Sequence, residues 1–101
     1  MFNTEITKNG TSAKVELIGD LNATASDAFV AEVSKILESD TDSLVPDMSR
    51  LEFLSSSGLR KLLTIKKMVA AKSGSMSVEN ISADIMQILK LTGFDSLLGI
   101  A

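Results

Sequence analysis

The sequence predicts an α/β (α+β) domain, a mixed sheet of four to five strands covered by about four helices, in the order ββαβαβα with a C-terminal tail. Three observations predict it. The first twenty residues alternate around a tight-turn signal, two apolar stretches then recur at helical spacing, and short apolar runs separate them. A length of 101 residues fits one hydrophobic core, so the whole of 1–101 reads as one domain.

Each element has its own warrant. Phe2 to Thr7 and Val15 to Ile18 flank Asn9-Gly10, the pair that tight hairpin turns favour, which predicts an N-terminal hairpin. Asn22, Thr24 and Ser26 offer caps to a first helix, on which Phe29, Val33, Ile36 and Leu37 share a face. Leu44-Val45-Pro46-Asp47-Met48 reads as a buried strand, although Pro46 cannot donate to a ladder. Leu51, Phe53 and Leu54 lead into Ser55-Ser56-Ser57-Gly58, the start of a second and longest helix. Its apolar positions are Leu59, Leu62, Leu63, Val69 and Ala70, and Ser73-Gly74 ends it. Ser75 to Glu79 alternates as a further strand, and Ser82 caps a helix carrying Ile85, Ile88 and Leu89 that stops at Gly93. Phe94 to Ile100 then closes the core.

Composition excludes a good deal. The chain has no histidine and no cysteine, so Ser-His-Asp and Cys-His catalysis, histidine- or thiolate-bound metals and disulfides all fall away. No cofactor or metal site and no catalytic residue is expected, and an enzyme would have to work with hydroxyls or carboxylates alone. No stretch approaches the apolar length that spans a bilayer, and no basic leader precedes an apolar run. A cytoplasmic location and no membrane insertion are therefore expected. The net charge of −3 gives no bulk attraction to nucleic acid, and a chain with four Phe and no Trp or Tyr lacks the stacking surfaces of a nucleic-acid binder.

Charge is nevertheless uneven. Five of the ten basic residues, Arg60, Lys61, Lys66, Lys67 and Lys72, lie between Phe53 and Val78, where there is no acid. On a helical wheel Arg60, Lys61, Lys67 and Lys72 form one arc, either a solvated face or a partner surface. Lys66 falls on the apolar arc and must snorkel or meet an acid. The remaining chemistry sits in Ser55-Ser56-Ser57-Gly58. One serine would serve as an N-cap, but three exceed that need, and a hydroxyl at the positive end of a helix stands where a phosphate would be tolerated.

Arg50-Leu51-Glu52-Phe53-Leu54-Ser55-Ser56-Ser57-Gly58-Leu59 resembles the signature of the anti-sigma factor antagonists, the STAS domains, usually apolar-apolar-Asp-Ser-Ser/Thr-Gly-Leu. Gly19-Asp20-Leu21-Asn22 resembles the family's Gly-Glu-Leu-Asp, Asp47-Met48-Ser49 its Asp-Leu-Ser, and Leu91-Thr92-Gly93-Phe94 its Thr-Gly-Leu. The four pieces stand in register along nearly the whole chain. The resemblance implies a STAS fold and a phosphoprotein that regulates transcription by partner switching. Unmodified, it binds a protein that is both anti-sigma factor and serine kinase, with a histidine-kinase-like ATPase fold. Phosphorylation releases it and a serine phosphatase restores it.

Position for position the phosphoacceptor is Ser56, with Ser55 and Ser57 as alternatives in the serine run, and Gly58 and Leu59 match the helix start. Asn22, Ser55, Ser57, Gly58 and Arg60 are the expected partner-binding residues. Two carboxylates of the family pattern are absent, replaced by Ser55 and Asn22. The alternative is a STAS domain serving as a non-phosphorylated structural subunit of a transporter or signalling complex, its serines only capping a helix.

Overall fold

The computed structural model describes residues 1–100. Strand β1 (Phe2–Asn9) turns through Gly10 into the antiparallel β2 (Ser12–Leu21). Helix α1 (Ala23–Glu38) then crosses over to β3 (Ser43–Leu54), which lies parallel to β2. Helix α2 (Ser56–Ala71), α3 (Ala83–Thr92) and the single turn α4 (Phe94–Leu97) follow. The sheet order is β1-β2-β3.

The helices take one face of the sheet, as the alternation on β2 requires. Ala13, Val15, Leu17 and Leu21 are buried under α1 and α2, together with Leu44, Met48, Leu51 and Leu54 of β3. On α1 the buried positions are Ser26, Phe29, Val33 and Leu37, and on α2 they are Leu59, Leu62, Ile65 and Val69, each set spaced by three or four residues. Ile85 and Leu89 of α3 and Leu98 of the tail complete this core. The other face of the sheet is charged, with Arg50 paired to Glu5 and Glu16 across all three strands. Gly93 ends α3 in the left-handed conformation at φ 77°, which a residue with a Cβ adopts only with strain.

The sheet has three strands rather than the four to five expected. Ser75–Glu79 runs alongside β3 but meets it only in two isolated bridges, Leu44 with Met76 and Asp47 with Glu79. The reason is Pro46. The amides of Leu44 and Met48 donate to the carbonyls of Ser75 and Glu79, and Ser77 and Glu79 donate back to Leu44 and Pro46. Alternation turns the Pro46 nitrogen to the same side, and it has no hydrogen to give, so the ladder breaks in the middle.

Other expectations also shift. Helices α1 and α2 are equally long, 16 residues each, so the second is not the longest. Ala70 is exposed and Leu63 half-buried, with Ile65 taking the core position between them. Lys66 is half-buried and snorkels toward the backbone at Gly99. Lys72 is no part of a free solvated arc. Its ammonium donates to the carbonyls of Leu37, Ser39 (3.2 Å) and Thr41 (2.6 Å), which places a cation on the negative end of α1.

Asp47, 3% exposed, is a buried carboxylate within β3, opposite Glu16 of β2. Burial pushes its carboxyl up, but the Ser49 amide, the Asn80 side chain, the Ser49 hydroxyl and the Lys14 ammonium together hold it well below the usual carboxylate range. The Ser49 amide and the Asn80 side chain each donate to it at 2.9 Å, and Lys14 sits at 3.2 Å. The same hydrogen bond to Asp47 raises Lys14. The Asp47-Met48-Ser49 piece of the sequence is thus a structural clamp.

Candidate functional site at the paired helix N-termini

Because β2 and β3 run parallel and Leu21 pairs with Leu54, the helices that follow them start side by side. Asn22 caps α1 by accepting from the Ala25 amide at 2.9 Å, and Ser55 caps α2 by accepting from the Gly58 amide at 3.0 Å. Neither helix has an acid in its first turn, so the two positive helix ends stand together with no first-turn carboxylate to neutralise them.

The serine run divides its labour. The Ser55 hydroxyl also donates to the Leu21 carbonyl at 3.0 Å, a carbonyl that accepts from the Ser55 amide at 3.1 Å. Ser55 is therefore both cap and strap between β2 and α2, half-buried and fully engaged. Ser56 is the first residue of α2 and exposed, and Ser57 is half-buried. Among the described residues neither of their hydroxyls makes a hydrogen bond, so Ser56 presents the one hydroxyl of the run that is both uncommitted and open to solvent.

Gly58, named among the expected partner-binding residues, does not reach the surface. It is buried, and a Cβ there would stand 2.7 Å from the Leu21 carbonyl oxygen. It lets α2 approach the end of β2 rather than offering a surface. Arg60 lies one turn beyond Ser56, exposed, its Nε donating to the Ser56 carbonyl at 3.4 Å. With Ser57, Lys61 and Thr64 it lines a shallow cleft of about 270 Å³. Lys61 is tied to Asp27 of α1 at 3.2 Å, which leaves Arg60 as the cation of this turn without an acid partner among the described residues.

Sequence reasoning passed over Phe53. It pairs in register with Asp20 at the end of the sheet, is 49% exposed, and flanks the helix start; its place in an apolar run concealed that exposure. Among the described residues no cluster of acids suits a metal ion, and no helix is long and apolar enough to cross a membrane.

The sheet and its helices thus deliver a serine with an uncommitted hydroxyl to an exposed helix start. The chain belongs to the STAS domain family, whose model matches residues 3–101. It is 25% identical over 85 residues to BtrV of Bordetella bronchiseptica, a protein named provisionally as an anti-sigma factor antagonist; the match takes in 84% of this chain and 73% of that one. Its fold is that of the anti-sigma factor antagonist SpoIIAA in its unphosphorylated form, at a TM-score of 0.81 and 20% identity over 96% of this chain and 84% of the other. The murine anion transporter Slc26a9 contains the same fold, at a TM-score of 0.76 and 18% identity, over 89% of this chain and 15% of the transporter.

Proposed function

We propose that this chain is an anti-sigma factor antagonist switched at Ser56. Unmodified, it binds an anti-sigma factor that is also a serine kinase with a histidine-kinase-like ATPase fold, and so frees a transcription factor. Transfer of the γ-phosphoryl group of ATP to the Ser56 hydroxyl releases the complex, and a serine phosphatase reverses it. The observation that carries this reading is the contrast within the serine run: Ser55 is held by two hydrogen bonds, whereas the Ser56 hydroxyl is exposed and free beside two helix N-termini.

The energetics give the switch its direction. A phosphate adds about −1.5 to −2 charges at neutral pH. Within the free domain the helix end favours it by about 0.3–1 kcal/mol. In a closed interface that engages Arg60 with the partner, the same dianion is left without a free cation and faces desolvation and repulsion of about 2–5 kcal/mol. The second effect is larger, so the complex breaks while the fold persists. Ser57 and Arg60 on α2 and Asn22 at the start of the neighbouring α1 form the partner surface around Ser56, with Ser55 and the buried Gly58 shaping it from below.

A second reading, a structural subunit of a transporter or signalling complex, draws on Ser55 in place of the usual aspartate and on the fold shared with Slc26a9. Recovery of bound proteins from the source cell separates the two: an ATPase-fold kinase supports the switch, a permease the subunit. Binding titrations then test the site. Ser56→Ala keeps affinity and resists the kinase, and Ser56→Asp stays folded and loses affinity. Normal binding by Ser56→Asp, with no phosphate on the wild type, overturns the switch.

A further inference from the structure

Strand β1 is an open edge of the sheet, eight residues long and without proline or bulge against β2. Its outward-facing groups can be read from the ladder. The carbonyls of Thr11, just before β2, and of Leu21, at its end, turn toward β3, accepting from Asp42 and Ser43 and from Ser55, while the Asp20 amide donates to Met1. Even-numbered residues of β2 therefore face β1, and their partners there are the odd-numbered ones. Alternation leaves the backbone N–H and C=O of Thr4, Ile6 and Lys8 pointing away from the sheet. The side chains of Phe2, Thr4 and Ile6 lie on the helix side, where Phe2 meets Phe29 edge-on and the Thr4 hydroxyl donates to Glu32. Ile6 is 39% exposed.

We propose that a second copy of this chain pairs with this edge, β1 against β1 antiparallel about a twofold axis through Ile6, joining the two three-stranded sheets into one. An axis perpendicular to the sheet keeps both sets of helices on one face. Among the registers it allows, one satisfies the strand. Ile6 then lies opposite Ile6, and Thr4 opposite Lys8, as hydrogen-bonded pairs, while Glu5 faces Thr7. Sliding one way sets Glu5 against Glu5, a like-charge pair, and sliding the other sets Ile6 against Lys8. In the favoured register the Lys8 of each copy lands beside the other copy's Thr4. That is the mouth of a cleft of about 250 Å³ lined by Phe2, Asn3, Thr4, Ala28, Phe29 and Glu32, whose charged wall is Glu32. Within one chain the Lys8 ammonium meets the exposed Asp40 carboxylate at 2.5 Å; in the pair it exchanges that solvent-facing contact for Glu32 of the other copy, and its stem covers the aromatic pair.

The test uses the full chain and its lack of cysteine. Sedimentation equilibrium shows a concentration-dependent dimer. Ile6→Cys forms a disulfide-linked dimer on mild oxidation, because hydrogen-bonded antiparallel partners stand about 5.5 Å apart at Cα, whereas Thr7→Cys, opposite Glu5, does not. Lys8→Glu and Glu32→Lys each weaken self-association about tenfold. An equimolar mixture of these two variants restores it, since the mixed dimer carries two complementary contacts; a loss caused by misfolding would not be rescued in this way. A chain that stays monomeric up to about 1 mM overturns the proposal. So does a dimer in which Thr7→Cys crosslinks as readily as Ile6→Cys, or in which the mixture associates no better than either variant alone.

Discussion

Replacing Gly58 with alanine sets two opposing effects against each other at the heart of the site. Helix propensity favours alanine by about 0.5–1 kcal/mol. Contact opposes it: the new methyl would stand 2.7 Å from the Leu21 carbonyl oxygen, 3.0 Å from Leu21 Cγ and 3.1 Å from Leu54 Cδ1. The carbonyl cannot yield freely, because the Ser55 amide and hydroxyl hold it at 3.1 and 3.0 Å. Helix α2 must therefore lift away from β2, weakening the Ser55 strap, and overpacking of this kind costs about 1–3 kcal/mol. The net expectation is destabilisation of about 1–2 kcal/mol, read by urea unfolding followed by circular dichroism. In a domain of this size that lowers Tm by about 4–8 °C per kcal/mol. Gly58→Ala as stable as the wild type, or more stable by the propensity gain, would refute the close approach of α2 to β2.

Three further outcomes follow from named contacts. The Asp47 carboxyl is held below its ordinary range, so its contribution to stability is present above about pH 4 and is lost as the pH falls further; Asp47→Asn should be less stable than wild type at pH 7, with the difference shrinking toward pH 2 in urea titrations. Lys72→Met removes the ammonium from three carbonyls at the end of α1 and should cost about 1–2 kcal/mol, with hydrogen exchange accelerating in the last turn of that helix ahead of the rest. Arg60→Glu should weaken binding of the proposed anti-sigma factor kinase about tenfold or more and leave Tm unchanged, since among the described residues the Arg60 side chain makes one long hydrogen bond, to the Ser56 carbonyl; unaltered affinity would remove Arg60 from the interface.

Local chemistry made much of this fold legible. Asn9-Gly10 announced the hairpin, Asn22 and Ser82 are caps with their side chains on the expected amides, and Gly93 stops α3. What stayed hidden depends on contacts between distant segments. Pro46 was visible as an awkward strand residue, but its effect, a broken ladder to Ser75–Glu79, requires knowing which side of β3 it faces. Lys72 looked like one more surface cation until the fold carried the end of α1 to it. The serine run was legible as a site, yet the assignment of cap to Ser55 and of free hydroxyl to Ser56 rests on the Leu21 carbonyl, which no local pattern predicts. Gly58 was legible as a helix-start residue, whereas its missing side chain makes room for a strand thirty-odd residues earlier in the chain.

The central claim is that Ser56 alone carries the switch. Its most direct test is tandem mass spectrometry of the wild-type chain after incubation with its cognate kinase and ATP. A single phosphate, on Ser56, is expected. Phosphate on Ser55 would remove the hydrogen that its hydroxyl donates to the Leu21 carbonyl, so phosphate found there, or on Ser57, or on no serine at all, would contradict the switch at Ser56.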